Sequence, residues 1–178
     1  NTKSAGKFGL QLAYQKKSYG ANGFYSLAYP NQFDHTKTIY GALDWKQTIS
    51  AKVNLTAQLY SRRHYDRFEL FRDMENAASW YKGHNYHLTD VKGAWAVLAL
   101  LTQYGNFKLG ADVRNEHIYS TVLGNALNEA VQNKFDKDIY FTKASQRFLP
   151  GFFADYALSV QSLFLSAGFS HTFSSQFG

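Results

Sequence analysis

The chain has 178 residues, no cysteine, and 19 Lys+Arg against 13 Asp+Glu, a formal net charge of +6. That length makes one domain or a part of one, and the lack of cysteine excludes a disulfide framework, a thiolate metal site and a cysteine nucleophile. With 17% aromatic and 18% charged residues, 2 prolines and 1 methionine, the composition argues against a charged disordered tail, collagen and coiled coil; it favours strands, whose pleated, half-buried surface suits aromatic side chains.

Taken in chain order, the dominant period is two. Phe8, Leu10, Leu12 and Tyr14 alternate with Gly9, Gln11, Ala13 and Gln15, and Ile39, Gly41, Leu43 and Trp45 alternate with Tyr40, Ala42, Asp44 and Lys46. The clearest strand is Ala51–Tyr60, where Ala51, Val53, Leu55, Ala57 and Leu59 oppose Lys52, Asn54, Thr56, Gln58 and Tyr60. In Asp90–Leu100, Val91, Gly93, Trp95, Val97 and Ala99 form one face, while Asp90 and Lys92 open the other and Ala94, Ala96 and Leu98 follow. Phe107, Leu109, Ala111 and Val113 alternate with Lys108, Gly110, Asp112 and Arg114. Two further strands, Phe152–Val160 and Ser162–Ser170, bring the expected number to about seven.

The connections alternate short and long. Residues 47–50, 101–106 and 161 are short links; 17–37, 61–89 and 115–150 contain long ones. Short turns at one end and long loops at the other belong to an outer-membrane barrel. The longest apolar run, Ala94–Leu101, falls well short of the roughly 18 residues of a membrane helix, so any membrane span must be a strand. The expected fold is all-β: an antiparallel up-and-down transmembrane β-barrel segment of about seven strands of a larger barrel. Leu43, Val53, Leu55, Leu59, Leu109 and Val113 are expected to face lipid. Lys46, Lys52, Asn54, Gln58, Lys92, Lys108, Asp112, Arg114 and Asp155 are expected to face a lumen, wet or plugged, because unpaired charges in a dry interior are costly.

Few motifs carry chemistry. His84 and His87 beside Asp90 have a spacing that could hold a metal on a helix, but the pattern is extended, and Asp73 and Glu75 lack the spacing of a calcium loop. No metal and no catalytic residue is expected. His171 and Ser174 form a base–nucleophile combination without an orienting acid. Arg62, Arg63, His64, Arg67 and Arg72 interleave Tyr65, Phe68 and Phe71; nucleic acid is one reading, and a membrane-interface belt is favoured because the set lies just past an apolar-faced strand.

Four stretches then carry a family resemblance: GFYSLAYPNQFDHTKT (residues 23–38), RRHYDRFELFRDMENAASWYKGHNYHLTDV (62–91), KLGADVRNEHIYSTVLG (108–124) and FFADYALSVQSLFLSAG (152–168). Together they resemble the middle of the β-barrel of TonB-dependent outer-membrane receptors from Bacteroides-type bacteria, and within that group they look most like the vitamin B12 (cobalamin) receptors. The resemblance implies a 22-stranded barrel around an N-terminal plug, outer loops that catch the ligand, and energy supplied by TonB pulling on the plug. Residues 1–178 would then be a partial barrel domain, without plug, TonB-contacting box or closing C-terminal strand. The implied ligand is cobalamin, with no resident cofactor. The implied partners are outer-membrane lipid and lipopolysaccharide, the rest of the receptor, TonB through the plug, and a surface lipoprotein; no nucleic acid is implied. The outer-loop residues expected at the ligand are Tyr25, Tyr29, Asn31, Gln32, Trp80, Tyr81, Asn85 and Tyr86, since Tyr and Trp supply rigid contact area with a polar tip and Asn and Gln pair with amides. Two alternatives stand beside this reading: a complete small outer-membrane barrel, structural or a lipid hydrolase, and a soluble ligand-binding barrel. The segregated loops and the exposed-face Trp45 and Trp95 disfavour the latter.

Overall fold

The computed structural model describes residues 6–23 and 26–176. It is all-β: β1 (Lys7–Gly20), β2 (Phe33–Ser50), β3 (Val53–Glu69), β4 (Asn85–Thr102), β5 (Gly105–Ser120), β6 (Asn125–Gln132), β7 (Tyr140–Val160) and β8 (Leu163–Thr172). One 3-10 turn, Met74–Asn76, interrupts the link between β3 and β4. The strands form a single antiparallel sheet in which β1 to β5 pair in sequence and β7 pairs β5. The other edge of β7 is shared: β6 pairs its start and β8 its end. Among the described residues β1 pairs only β2 and β8 only β7, so the sheet is open.

The strand count of seven is corrected to eight. β6, with the sequence NALNEAVQ, has no period of two, and its pairing with β7 is broken by a register shift between Ala126 and Val131. The short links are the two-residue turns 51–52, 103–104 and 161–162. The expected link at 47–50 is thereby moved, since β2 runs to Ser50. The links 21–32, 70–84 and 121–139 lie together at the opposite end, as antiparallel order requires.

Register divides the side chains between two faces, because neighbours across strands share a face. One row runs Leu10, Leu43, Leu59, Ala94, Val113, Pro150. The next runs Phe8, Trp45, Ala57, Ala96, Ala111, Phe152, His171. These rows, with Leu55, Leu98 and Leu109, make an apolar face continuous over seven strands. It is open to its surroundings: Leu12 is 76% exposed and Leu59 59%.

Two expectations for β4 are corrected here. Ala94, Ala96 and Leu98 belong to the apolar face, and Lys92 follows them, standing in the row of Ser61 and Asn115. Trp95, with Val91 and Val97, lies on the polar face. A stretch that is apolar at every position carries no alternation, so β4 alone could not declare its register. Lys52 lies in a turn rather than on a face.

The polar face is laterally bonded. Asp44 accepts from Gln11 Nε2 at 2.7 Å and Gln58 Nε2 at 2.8 Å, and Gln58 Oε1 accepts from Trp95 Nε1 at 3.0 Å. Glu116 sits between Arg114 and Arg147. Two glycines on this face are covered by rings. A Cβ on Gly93 would lie 2.4 Å from Tyr60, and one on Gly110 2.1 Å from Phe153. A buried apolar cluster lies at the loop end, where Tyr65, Tyr86, Leu88 and Phe141 pack with Tyr119, Phe135 and Ile139.

Candidate ligand-binding loops

β1 and β2 project the loop 21–32, and β3 and β4 project 70–84. The two loops meet through rings. Tyr29 packs edge-on against Phe71 (5.1 Å between centroids) and Trp80 (6.0 Å), and Phe71 contacts Trp80 (6.0 Å) and Tyr81 (5.2 Å). The chain of rings continues through His84 to Tyr86. Edge-to-face contacts at these spacings suit the ring quadrupole and add about 0.5–1.5 kcal/mol per pair beyond burial. Tyr81 fixes the second loop: its hydroxyl accepts from Leu70 N at 3.1 Å and bonds His84 Nδ1 at 3.0 Å. Burial pushes the Tyr81 hydroxyl pKa up and the His84 imidazole pKa down, so both stay neutral near pH 7.

Beneath the rings, the buried Glu69 carboxylate ends β3. It is paired with Arg67, with His35 Nε2 at 3.2 Å and with Arg72 Nε at 3.7 Å. Arg72 also lies over the Phe33 ring, 3.8 Å from its centroid. Beside this pair is a cleft of about 700 Å³ lined by Gly20, Pro30, Asn31, Gln32, Phe33, Phe71, Arg72 and Asp73. Its volume is that of a small-molecule site. It offers an aromatic wall, an amide, a guanidinium and a carboxylate, a set suited to a ligand with an apolar face and polar rim.

The expected residues divide. Tyr29, Trp80 and Tyr81 come together, Trp80 is 57% exposed, and Asn31 stands exposed at the cleft. Asn85 opens β4, opposite Phe68. Gln32 is 1% exposed; its side-chain amide donates to Ser26 O at 2.8 Å and its backbone carbonyl accepts from Ala21 N at 2.8 Å, so it closes the loop. Tyr86 is buried in the apolar cluster at the loop end. These two positions are not open to a ligand. Tyr25 lies outside the described residues. Phe33, Phe71, Arg72 and Asp73 were not anticipated as cleft residues; Phe71 and Arg72 stood in the basic–aromatic stretch, whose alternation hid that β3 sends Arg62 and Arg63 to opposite faces.

The remaining combinations disperse. His84 bonds Tyr81, His87 bonds Ser120 at 2.9 Å, and Asp90 holds Arg63 with two bonds of 2.7 and 2.6 Å. His171 packs between Phe152 and Phe173, while Ser174 Oγ accepts from Gln176 N at 3.4 Å. Comparison with protein-family models, with curated proteins and with solved structures finds no match to this chain.

Proposed function

We propose that this sheet is part of the wall of an outer-membrane β-barrel receptor of the TonB-dependent kind, which takes up a corrinoid such as cobalamin. The carrying observation is the apolar face and its slope against the register. Val53 opens β3 and pairs Leu100, yet β4 runs two residues further, to Thr102. Asn106 pairs Ala157, which places Leu158 level with Gly105, and β7 again runs two residues further, to Val160. Each turn therefore drops two residues per two strands. If the turns share one plane, 6.6 Å of descent over 9.6 Å of width corresponds to a strand tilt of about 35°, within the range of membrane barrels. On the apolar face, ten residues separate Lys37 from Gln47 on β2 and Lys92 from Thr102 on β4. With that tilt they span roughly 27 Å, close to the apolar band of about 25 Å that outer-membrane barrels present.

The polar face then lines the lumen, where its networks meet water or a plug. The aromatic-roofed cleft lies on the outer side with the long loops. Lipopolysaccharide and lipid surround the wall, the rest of the receptor supplies the plug on which TonB acts, and a surface lipoprotein covers the loops. A complete small barrel requires β1 bonded to β8; each has a single partner among the described residues instead, which favours a wall segment. The test is membrane fractionation of the protein carrying this chain, followed by cobalamin binding. Trp80→Ala and Tyr29→Ala are each expected to weaken binding about tenfold, the loss of an interface anchor. Recovery in the soluble fraction overturns the membrane reading, and unchanged binding in both variants overturns the ligand assignment.

A further inference from the structure

At one level the polar face carries more guanidinium than carboxylate. A row runs Arg62, Val91, Glu116, Arg147 across β3, β4, β5 and β7, and Arg114 stands two residues nearer the short turns on the same face of β5. Arg114 Nε lies 2.8 Å from Glu116 Oε1, and Arg147 Nε donates to Glu116 Oε2. The two arginines therefore share a single negative charge. Among the described residues the terminal nitrogens of Arg114 and Arg147 make no hydrogen bond, Arg62 makes no ion pair, and Asp112 makes none with Arg114. Beside these groups the wall is hollow: a pocket of about 250 Å³ is lined by Thr89, Glu116, Ile118, Ser145 and Arg147. Ser145 Oγ accepts from Gln176 Nε2 at 2.7 Å, and a hydroxyl that accepts keeps its own hydrogen to donate. Thr89 stands in the same row as Ile118 and Ser145, one step above Glu116.

We infer that this pocket is a seat for a phosphate group, gripped by the Arg147 guanidinium and the Ser145 and Thr89 hydroxyls, with Arg114 and Arg62 supplying further positive charge around it. The seat presupposes the receptor reading above and names the part of the ligand it holds, the phosphodiester through which cobalamin carries its nucleotide. The juxtaposition selects the chemistry. A guanidinium fork matches two oxygens of a phosphate in one plane. Three guanidinium groups against one carboxylate reject a cation, and a neutral amide would leave the excess charge unanswered. The volume admits a tetrahedral group and its ester arms, below the size of a whole small-molecule site. The seat is also distinct from the loop cleft: Arg62 lies seven residues before Glu69, the end of β3, roughly 23 Å along the strand. A ligand moving inward from the cleft would meet it as a second station on the lumen wall.

The test uses the whole protein that carries this chain, in two arms. In the first, inorganic phosphate is titrated against the purified protein and followed by phosphorus NMR line broadening. Arg147→Gln is expected to weaken phosphate binding about tenfold, the worth of one charge-assisted bond, and Arg147→Lys to restore part of it. Glu116→Gln, which releases both guanidinium groups, is expected to tighten it, a gain that loss of structure would not produce. In the second arm, cells producing the protein are given labelled cobalamin or cobinamide, the same corrin without phosphodiester and nucleotide. Arg147→Gln is expected to slow cobalamin uptake about fivefold and to leave cobinamide uptake unchanged. Phosphate binding that is absent or indifferent to Arg147→Gln, weaker binding in Glu116→Gln, equal loss of uptake for the two corrinoids, or an acidic side chain of the rest of the receptor seated in the pocket overturns the inference and leaves the receptor reading standing. A parent protein that takes up neither corrinoid overturns the receptor reading and, with it, the phosphodiester as occupant.

Discussion

Arginine placed at Leu55 tests the assignment of faces most directly. On β3 the apolar stretch runs from Val53 to Leu59, and Leu55 pairs Leu98 of β4. Leu98 lies six residues from Lys92 and four from Thr102 on β4. Leu55 lies inside the band, where arginine facing lipid costs up to about 2–4 kcal/mol. Leu59 is four residues higher and pairs Leu43, which lies six residues from Lys37 and four from Gln47 on β2, so it also lies inside the band and Leu59→Arg is expected to cost up to about 2–4 kcal/mol. Thr56, between Leu55 and Ala57, points to the other face opposite Lys46. Thr56→Arg meets only a like charge on a polar surface and is expected to cost less than about 1 kcal/mol. The assay is denaturant titration of reversible insertion into lipid vesicles, using the whole protein and comparing midpoints at constant slope. Large costs at Leu55 and Leu59, with Thr56 small, follow from the division of faces. Equal costs for Leu55→Arg and Thr56→Arg would refute the division of faces.

Other outcomes follow from the same contacts. Gly110→Val is expected to cost about 1–3 kcal/mol, because its side chain would overlap the Phe153 ring that covers Gly110; the added double change Phe153→Ala should recover part of the loss, which a melting series would show. Phe71→Ala, at the centre of the loop rings, is expected to raise amide exchange in both 21–32 and 70–84, since its ring touches Tyr29, Trp80 and Tyr81; exchange confined to its own loop would argue that the rings do not couple the two. Asp66, above the apolar band, has its carboxyl pKa pushed up to about 7, first by burial and then by the neighbouring Asp34 carboxyl. The folded protein thus holds a proton that the unfolded chain releases near 4, so the corner loses stability as pH rises from about 4 to 7. Between pH 5 and pH 8, amides near Asp34 and Asp66 should lose less protection in Asp66→Asn than in the parent protein, measured by hydrogen exchange; an equal loss in both would remove Asp66 as the cause.

Legibility in the sequence tracked how strongly each strand alternates. β3 and β5 declare their faces because every second residue is apolar and its neighbours are polar or small. β4 does not: Ala94, Trp95, Ala96, Val97 and Leu98 are apolar on both faces, and only pairing with Leu59 and Val113 decides which of them join the band. β6 was invisible because its pairing is short and interrupted. In the loops, the aromatic residues were readable as a set but their roles were not. Trp80 and Tyr86 are both large aromatic loop-end residues, and only the fold leaves one exposed and buries the other. Gln32 reads as an amide available to a ligand until its bond to Ser26 O shows it closing its own loop.

The two ends of this sheet are held by different physics, and that difference bears on how such a wall would work. Through the band, each strand is bonded to its neighbour along its full length, and the polar face adds side-chain ties that link four strands, from Gln11 through Asp44 and Gln58 to Trp95. Opening one row there breaks several bonds at once, so this part is expected to move as a unit. Above the band the strands continue, but the loops 21–32 and 70–84 meet mainly through ring edges, and ring contacts are individually weak and tolerant of small rotations. A ligand entering the cleft can displace Tyr29 or Trp80 at modest cost while Glu69, gripped by His35, Arg67 and Arg72, holds the strand ends below. Ligand-dependent change in hydrogen exchange should therefore stop at Glu69. Protection that changes on ligand binding as far down as the row of Asp44, Gln58 and Trp95 would mean that the wall itself responds, and the rigid support inferred from the polar-face network would be wrong.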